Sequence, residues 1–338
     1  MGKRISINSI AKDLGISITT VSFVLNGKAQ EKRISDKLVK KVMEYVEKSG
    51  YKPNSLARSL RTGKSNIIGL IVEDISYPFF STIAKEIEEK AYKNGYKIIY
   101  SSTENNIDKT KELIEMYKDK HVDGYIIVPP EGIEDEINAL YASGKPVVVL
   151  DRTLKDVEVD NVVVNNYDSV YKATKYLISN GFKNIAFVTL NSLQSQMLDR
   201  LSGYEQAIVE QGLMPYIKEV SYIDSEQAKK HILSFIERKV DVLDAIVFAT
   251  NYLCVSGLKA LKELRLHIPD KMAVVSFDDY ELFEMYSPSI TSIAQPTGAI
   301  AENAINLLLS RLKKQGQDKR NQKVVLPTTL IIRESSEK

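Results

Sequence analysis

Two aspartates stand where a polar ligand could be held. Asp151 ends the apolar run PVVVLD, and Asp278 follows AVVSF. A carboxylate at the carboxyl end of a buried strand can accept hydrogen bonds from a ligand or cap the following helix. Asp278 and Asp279 are neighbours, but adjacent residues of an extended segment point to opposite sides, so both rarely serve one metal or ligand. His121, His231 and His267 are scattered without metal-ligand spacing and read as ordinary surface or helix histidines. No GxGxxG, HExxH or GxSxG occurs. Gly63-Lys64-Ser65 imitates the tail of a phosphate-binding loop, but the full loop needs a glycine where Arg58 stands and should follow a strand. No nucleophile, base or metal constellation is visible, so neither an enzyme nor a cofactor is expected.

A second kind of chemistry sits near the N-terminus. The stretch GISITTVSFVLN, Gly15 to Asn26, interleaves small polar and apolar residues at helical spacing, as a helix built to touch a partner would. Phe23 stands among its polar residues. The surrounding charge says what that partner could be. Residues 1–64 hold 14 Lys+Arg against 5 Asp+Glu, whereas the remainder holds 32 against 39, so a basic head precedes an acidic body. The head suits a polyanion.

The elements that must carry these residues follow from periodicity. In the head, Ile7, Ile10, Ala11 and Leu14 share one helical face ended by Gly15, and a second helix turns Val21, Val24 and Leu25 inward. Ser35 can cap a third helix with the stripe Leu38, Val39, Val42, Met43 and Val46. Two short helices joined by a turn and braced by a third make a helix-turn-helix layout. After Pro53, SLARSL is helix-capable but too short to stand alone.

From Asn66 the chain alternates Val/Ile-rich runs (IIGLIV, YKIIYSS, VDGYIIVPP, PVVVLD, NVVVN, NIAFVTL, DAIVFAT, MAVVSFD) with amphipathic segments. That pattern predicts parallel sheets covered on both faces, in two doubly wound α/β lobes with a ligand cleft between them. The lone Cys254 and the lack of a spanning apolar run or leader core point to a reducing, cytoplasmic setting with no membrane role.

The ordered series IAKDLGISITTVSFVLNG, YKPNSLARSLRTGKSNIIGLIV, VDGYIIVPP, VVVLDR, RLSGYEQAI, FATN and VVSFDD…PSITSIAQP resembles the LacI/GalR family of bacterial transcription regulators over nearly the whole chain. The resemblance implies a helix-turn-helix domain at 1–50 and a hinge helix and linker at 51–65. It implies a periplasmic-binding-protein-like core at 66–338, with lobe 1 near 66–164 and 294–323 and lobe 2 near 165–293 and 324–338. It further implies a homodimer on a pseudo-palindromic DNA operator, controlled by a small-molecule effector, most often a sugar or nucleobase.

Carried over by position, Ser17, Thr20, Ser22 and Asn26 match residues that meet phosphates or steady the recognition helix, and Ser17 is also an N-cap candidate. Ile18, Thr19 and Phe23 match base-reading positions. Phe23 departs from the polar residue usual there, so it could meet a thymine methyl or fold back on the domain. Arg58, within the ARSL motif, is read as a phosphate contact in preference to a solvated charge, and Leu60 matches a minor-groove wedge. In the core, Phe79 and Phe80 match an effector-stacking wall, of which one is expected to be core. Asp151, Arg200, Asn251 and Asp278 match polar effector contacts, with Tyr222 and Gln295 as weaker matches. A transport-type sugar-binding protein and a sugar-modifying enzyme share such a core. The basic head argues against the first, and the missing catalytic constellation against the second.

Overall fold

The computed structural model describes residues 5–51, 63–221, 224–313 and 320–337. The chain divides into two compact units, Met1–Ser65 and Asn66–Lys338. The first is helical: α1 (Ile7–Leu14), α2 (Ile18–Leu25) and α3 (Asp36–Ser49). Each begins at a serine, Ser6, Ser17 or Ser35, whose hydroxyl accepts from a backbone N–H of the first turn. Gly15 ends α1 at φ 66°, the left-handed backbone that glycine adopts without a Cβ clash. Ile10, Ala11, Val21, Val24 and Val42 form the buried centre, and Tyr45 donates a hydrogen bond to Asp13. Met43 departs from expectation: it is 49% exposed. One residue past Val42 is about 100° further round the helix, which carries it off the buried stripe. The helix-capable segment SLARSL, with Arg58 and Leu60, lies outside the described residues, as does Tyr222.

The second unit holds two six-stranded sheets, each the centre of a lobe. Lobe 1 is laid down as β1 (Ile67–Val72), α4 (Pro78–Lys93), β2 (Lys97–Ser102), α5 (Ile107–Asp119) and β3 (Gly124–Ile127). It continues through α6 (Glu134–Ala142), β4 (Val147–Leu150) and β5 (Asp160–Val164). Lobe 2 follows with α7 (Asn166–Ser179), β6 (Ile185–Leu190), α8 (Ser195–Val209), β7 (Tyr216–Val220) and α9 (Ser225–Lys239). Then come β8 (Ala245–Phe248), α10 (Asn251–Glu263), β9 (Ala273–Phe277), α11 (Glu281–Met285) and β10 (Thr291–Ala294). The chain returns to lobe 1 for α12 (Thr297–Lys313) and β11 (Lys323–Leu326), and ends in lobe 2 with β12 (Thr329–Ile331).

The sheet orders are β11-β5-β4-β3-β1-β2 and β12-β10-β9-β8-β6-β7. Lobe 1 is wholly parallel; in lobe 2 the edge strand β12 runs antiparallel to β10. The reason is where the chain enters. The parallel strands end at the face between the lobes, and β12, arriving from β11, starts there and must run the other way. The expected lobe boundary at 323 is also corrected: Lys323–Leu326 pairs with Asn161–Val164 in lobe 1, and the chain crosses at Pro327 and Thr328. The edge strand β7 was not legible, because Lys218 and Glu219 interrupt its apolar pattern. Three crossovers thus join the lobes, and Asn165 ties two of them, its Oδ1 accepting from Thr328 N at 3.0 Å.

Candidate functional site

In the helical unit, α2 presents its own N-terminal turn. Ser17 caps the helix, its Oγ accepting from Thr20 N at 3.0 Å and lying 2.8 Å from Thr20 Oγ1. Ile18 is 48% exposed and Thr19 is exposed beside it, so an apolar and a hydroxyl side chain face outward together. At the other end, Asn26 donates through Nδ2 to Ser22 O at 2.6 Å and Ser22 Oγ at 3.2 Å, which holds both side chains on one face. Phe23 is half-buried, and the Lys32 ammonium lies 5.6 Å from its ring centroid. The ring is therefore held partly against its own domain under a cation.

In the α/β unit the chain gathers a second site at the carboxyl ends of β1, β4, β8 and β9, the edge at which open parallel sheets bind ligands. A chamber there is lined by Glu73, Tyr77, Phe79, Phe80, Asp151, Arg152, Gln196, Met197, Arg200, Thr250, Asn251, Tyr252, Asp278 and Gln295. Both lobes contribute, and they touch around it. Tyr77 of lobe 1 stacks on Tyr252 of lobe 2, with centroids 5.1 Å apart and planes at 18°. Thr153 N donates to Ser195 Oγ at 2.8 Å, and Ser192 Oγ to Glu131 Oε1 at 3.1 Å.

Arg200, on α8, is 2% exposed. Its Nε donates to Asn166 Oδ1 at 2.8 Å and its Nη1 to Ala249 O at 2.7 Å, while the guanidinium lies 3.5 Å over the Phe277 ring. Those anchors fix the guanidinium of Arg200, which lines the chamber. Burial lowers the Arg200 pKa, opposed by the carboxylates of Asp278 and Asp151. Asp278 is the mirror case: burial raises its pKa, opposed by Arg200, by Gln295 and by the Asn251 backbone N–H. Gln295 Nε2 donates to Asp278 Oδ1 at 2.6 Å, and Gln295 lies on the crossover between β10 and α12.

Asp151 and Asp278 have φ of 70° and 67°, left-handed backbone that costs a non-glycine residue on the order of 1–3 kcal/mol. Both sit directly after strands and both line the chamber. Strain at two matched strand ends is the kind that a binding site retains.

Arg152 was passed over at the sequence level. It is 3% exposed and spends all three nitrogens within lobe 1: Nη2 on Glu73 at 2.7 Å, Nε on Asp151 at 3.1 Å and Nη1 on Asn105 at 3.1 Å. Burial opposes its charge, but Asp151 and Glu73 outweigh that and raise its pKa.

The core residues singled out from sequence thus converge on one chamber: Phe79, Phe80, Asp151, Arg200, Asn251, Asp278 and Gln295 all line it. Phe80 is buried and Phe79 half-buried, edge to face with ring centroids 5.0 Å apart. Asp279 turns away, accepting from Arg333 at 2.8 and 3.1 Å and from Ser292 at 2.6 Å. Glu73, Tyr77, Arg152, Gln196, Thr250 and Tyr252 were not foreseen. Of these, Arg152 and Thr250 stood inside the quoted runs VVVLDR and FATN, and Gln196 lies four residues before Arg200 on the same face of α8.

Residues 6–54 match the family described as bacterial regulatory proteins, lacI family, and residues 174–336 match a periplasmic binding protein-like domain. The HTH-type transcriptional repressor PurR of Histophilus somni (strain 2336) is 30% identical over 335 residues, 98% of each chain. Among solved structures, the lac repressor dimer bound to operator and the anti-inducer ONPF superposes with a TM-score of 0.85 at 22% identity, covering 99% of this chain and 100% of that one. A periplasmic binding protein/LacI transcriptional regulator from Alkaliphilus metalliredigens QYMF, complexed with D-xylulofuranose, gives 0.72 at 25% identity over 80% of this chain and 98% of that one.

Proposed function

The chain belongs to the LacI family of bacterial regulatory proteins, and on that premise we propose that it is a cytoplasmic repressor whose grip on one operator is set by a sugar held between its core lobes. It is a transcriptional regulator, not an enzyme. Two copies carry two heads to the half-sites of a pseudo-palindrome. Ser17, Thr20, Ser22 and Asn26 meet phosphates, and Ile18, Thr19 and Phe23 face the major groove. Arg58 meets a further phosphate, and Leu60 wedges the minor groove at the operator centre.

The observation that carries effector control is the chamber in which two strained strand-end aspartates face Arg200. Carboxylates accept from ligand hydroxyls, the guanidinium donates to them, and Phe79 with Phe80 supplies an apolar wall. The D-xylulofuranose bound by the Alkaliphilus relative is a ligand of that chemistry. Asn251 completes the ligand's surroundings. Gln295 links Asp278 to a crossover between the lobes, so a ligand that engages Asp278 biases how the lobes sit. That bias is the coupling between the effector and DNA sites.

The test is selection of binding sequences from a randomised duplex library by the full-length protein. Enrichment of a two-fold pseudo-palindrome, with affinity falling steeply as salt rises, is the expected result. Leu60→Ala should weaken specific binding more than non-specific binding. Failure to enrich any symmetric sequence overturns operator recognition, and equal loss on both kinds of DNA overturns the wedge.

A further inference from the structure

A residue lining the chamber carries a buried polar atom with no hydrogen-bond partner among the described residues, and the charges around it are lopsided. Gln196, on α8 one turn before Arg200, is 2% exposed. Its Nε2 donates to Gln194 Oε1 at 3.1 Å, which fixes that end of the amide. Its Oε1 accepts no hydrogen bond among the described residues. A buried carbonyl oxygen left alone is a standing cost that a donor from a bound molecule removes.

The rest of the chamber also asks for donors. Glu73, Asp151 and Asp278 bring three carboxyl groups against the two guanidinium groups of Arg152 and Arg200. Arg152 directs Nε, Nη1 and Nη2 at Asp151, Asn105 and Glu73, so its charge is spent largely within lobe 1. Arg200 has Nε and Nη1 engaged by Asn166 and Ala249. The opening adjoining the chamber is lined by Glu73, Asp74 and Glu104, of which Glu104 is paired with Lys109 at 2.7 Å.

We propose that the chamber selects an uncharged polyol over its anionic esters, and that Gln196 sets this specificity by accepting a hydrogen bond from a ligand hydroxyl onto Oε1. This rests on the effector reading above and narrows it. A hydroxyl donates one hydrogen bond and accepts others, so a polyol can give donors to Gln196 and Asp278 while taking one from Arg200. A phosphate at neutral pH is chiefly an acceptor. It would set oxygen against oxygen at Gln196 and Asp278 and bring negative charge into a site already short of cations.

Isothermal titration of the full-length protein tests this with three probe sets: free pentoses, hexoses and disaccharides; the phosphate esters of the same sugars; and hypoxanthine and guanine. The expected result is that a neutral sugar binds and that its phosphate ester binds on the order of a hundredfold more weakly. Gln196→Met, which keeps the length but removes the acceptor, should then weaken that sugar about tenfold without lowering the melting temperature of the unliganded protein. Gln196→Leu repeats the measurement if the methionine variant folds poorly. An ester that binds as tightly as its sugar, or a purine that binds where no sugar does, overturns the proposed ligand class. Unchanged sugar affinity in the Gln196 variants overturns the role of that residue. Operator binding intact with no binder in any set defeats the effector reading itself, and this proposal with it.

Discussion

Replacing Arg152 by methionine is expected to cost the core about 3–5 kcal/mol, the range for breaking a buried ion pair from one side. The structure explains why the loss should be this large. The guanidinium is 3% exposed and bridges the residues after three strands of lobe 1: Glu73 after β1, Asn105 after β2 and Asp151 after β4. Methionine fills similar volume but leaves the Glu73 and Asp151 carboxylates beside one another with no counter-charge, and Glu73 itself is only 13% exposed. At roughly 2–3 °C per kcal/mol for a unit of this size, the melting temperature should fall by about 6–15 °C. Calorimetry of the unliganded protein, paired with urea unfolding followed by circular dichroism, reads both quantities.

A compensated variant separates charge from packing. Glu73→Gln and Asp151→Asn combined with Arg152→Met remove the two carboxylates along with the cation, and most of the stability should return. A loss below about 1 kcal/mol in the single variant would mean that the arginine behaves as a solvated surface partner. A triple variant as unstable as the single one would place the cost in packing and refute the electrostatic reasoning.

Other perturbations follow from single contacts. Asp279 is buried enough to raise its pKa, but Arg333 and Ser292 outweigh that and hold it below the ordinary value. Its contribution is therefore complete above the usual carboxylate range and is lost as pH falls through the depressed value, so Asp279→Asn should flatten the acid limb of stability below about pH 4 in urea titrations. Gly203 on α8 abuts the Tyr167 carbonyl of α7 where a Cβ would stand. Gly203→Ala should destabilise the core by about 1–3 kcal/mol in the same assay, and a neutral effect would show that the two helices can separate freely. Phe23→Ala should remove the Lys32 contact, worth about 0.5–1 kcal/mol, and change which operator is preferred. An unchanged preference across an operator library would assign the ring to packing alone.

Features set by local pattern were readable before the fold was known. The caps at Ser17 and Ser35, the glycine end of α1 and the alternation of apolar runs with amphipathic helices all follow from nearby residues. So does the placement of Asp151 and Asp278, because a strand's end is visible in its apolar run. What could not be read was convergence. Glu73 and Arg152 are 79 residues apart, and nothing in either neighbourhood announces that a guanidinium will bridge three strand ends. The Tyr77–Tyr252 stack likewise exists only because two lobes meet. Edge strands hid for another reason: β7 is half-exposed and carries charge, so its period is blurred. Met43 shows the limit of helical patterning, since a stripe drawn one residue too wide takes in a side chain that the solvent keeps.

Operator affinity measured with and without a saturating chamber ligand tests the central claim most directly. Fluorescence anisotropy of the selected operator, titrated with full-length protein in the presence of the best-binding neutral sugar, should give a Kd shifted by about 5- to 150-fold, the usual range of such couplings. The shift should vanish in Arg200→Ala, since Arg200 lines the chamber. A sugar that binds in calorimetry, loses that binding in Arg200→Ala and yet leaves operator Kd unchanged would contradict the account.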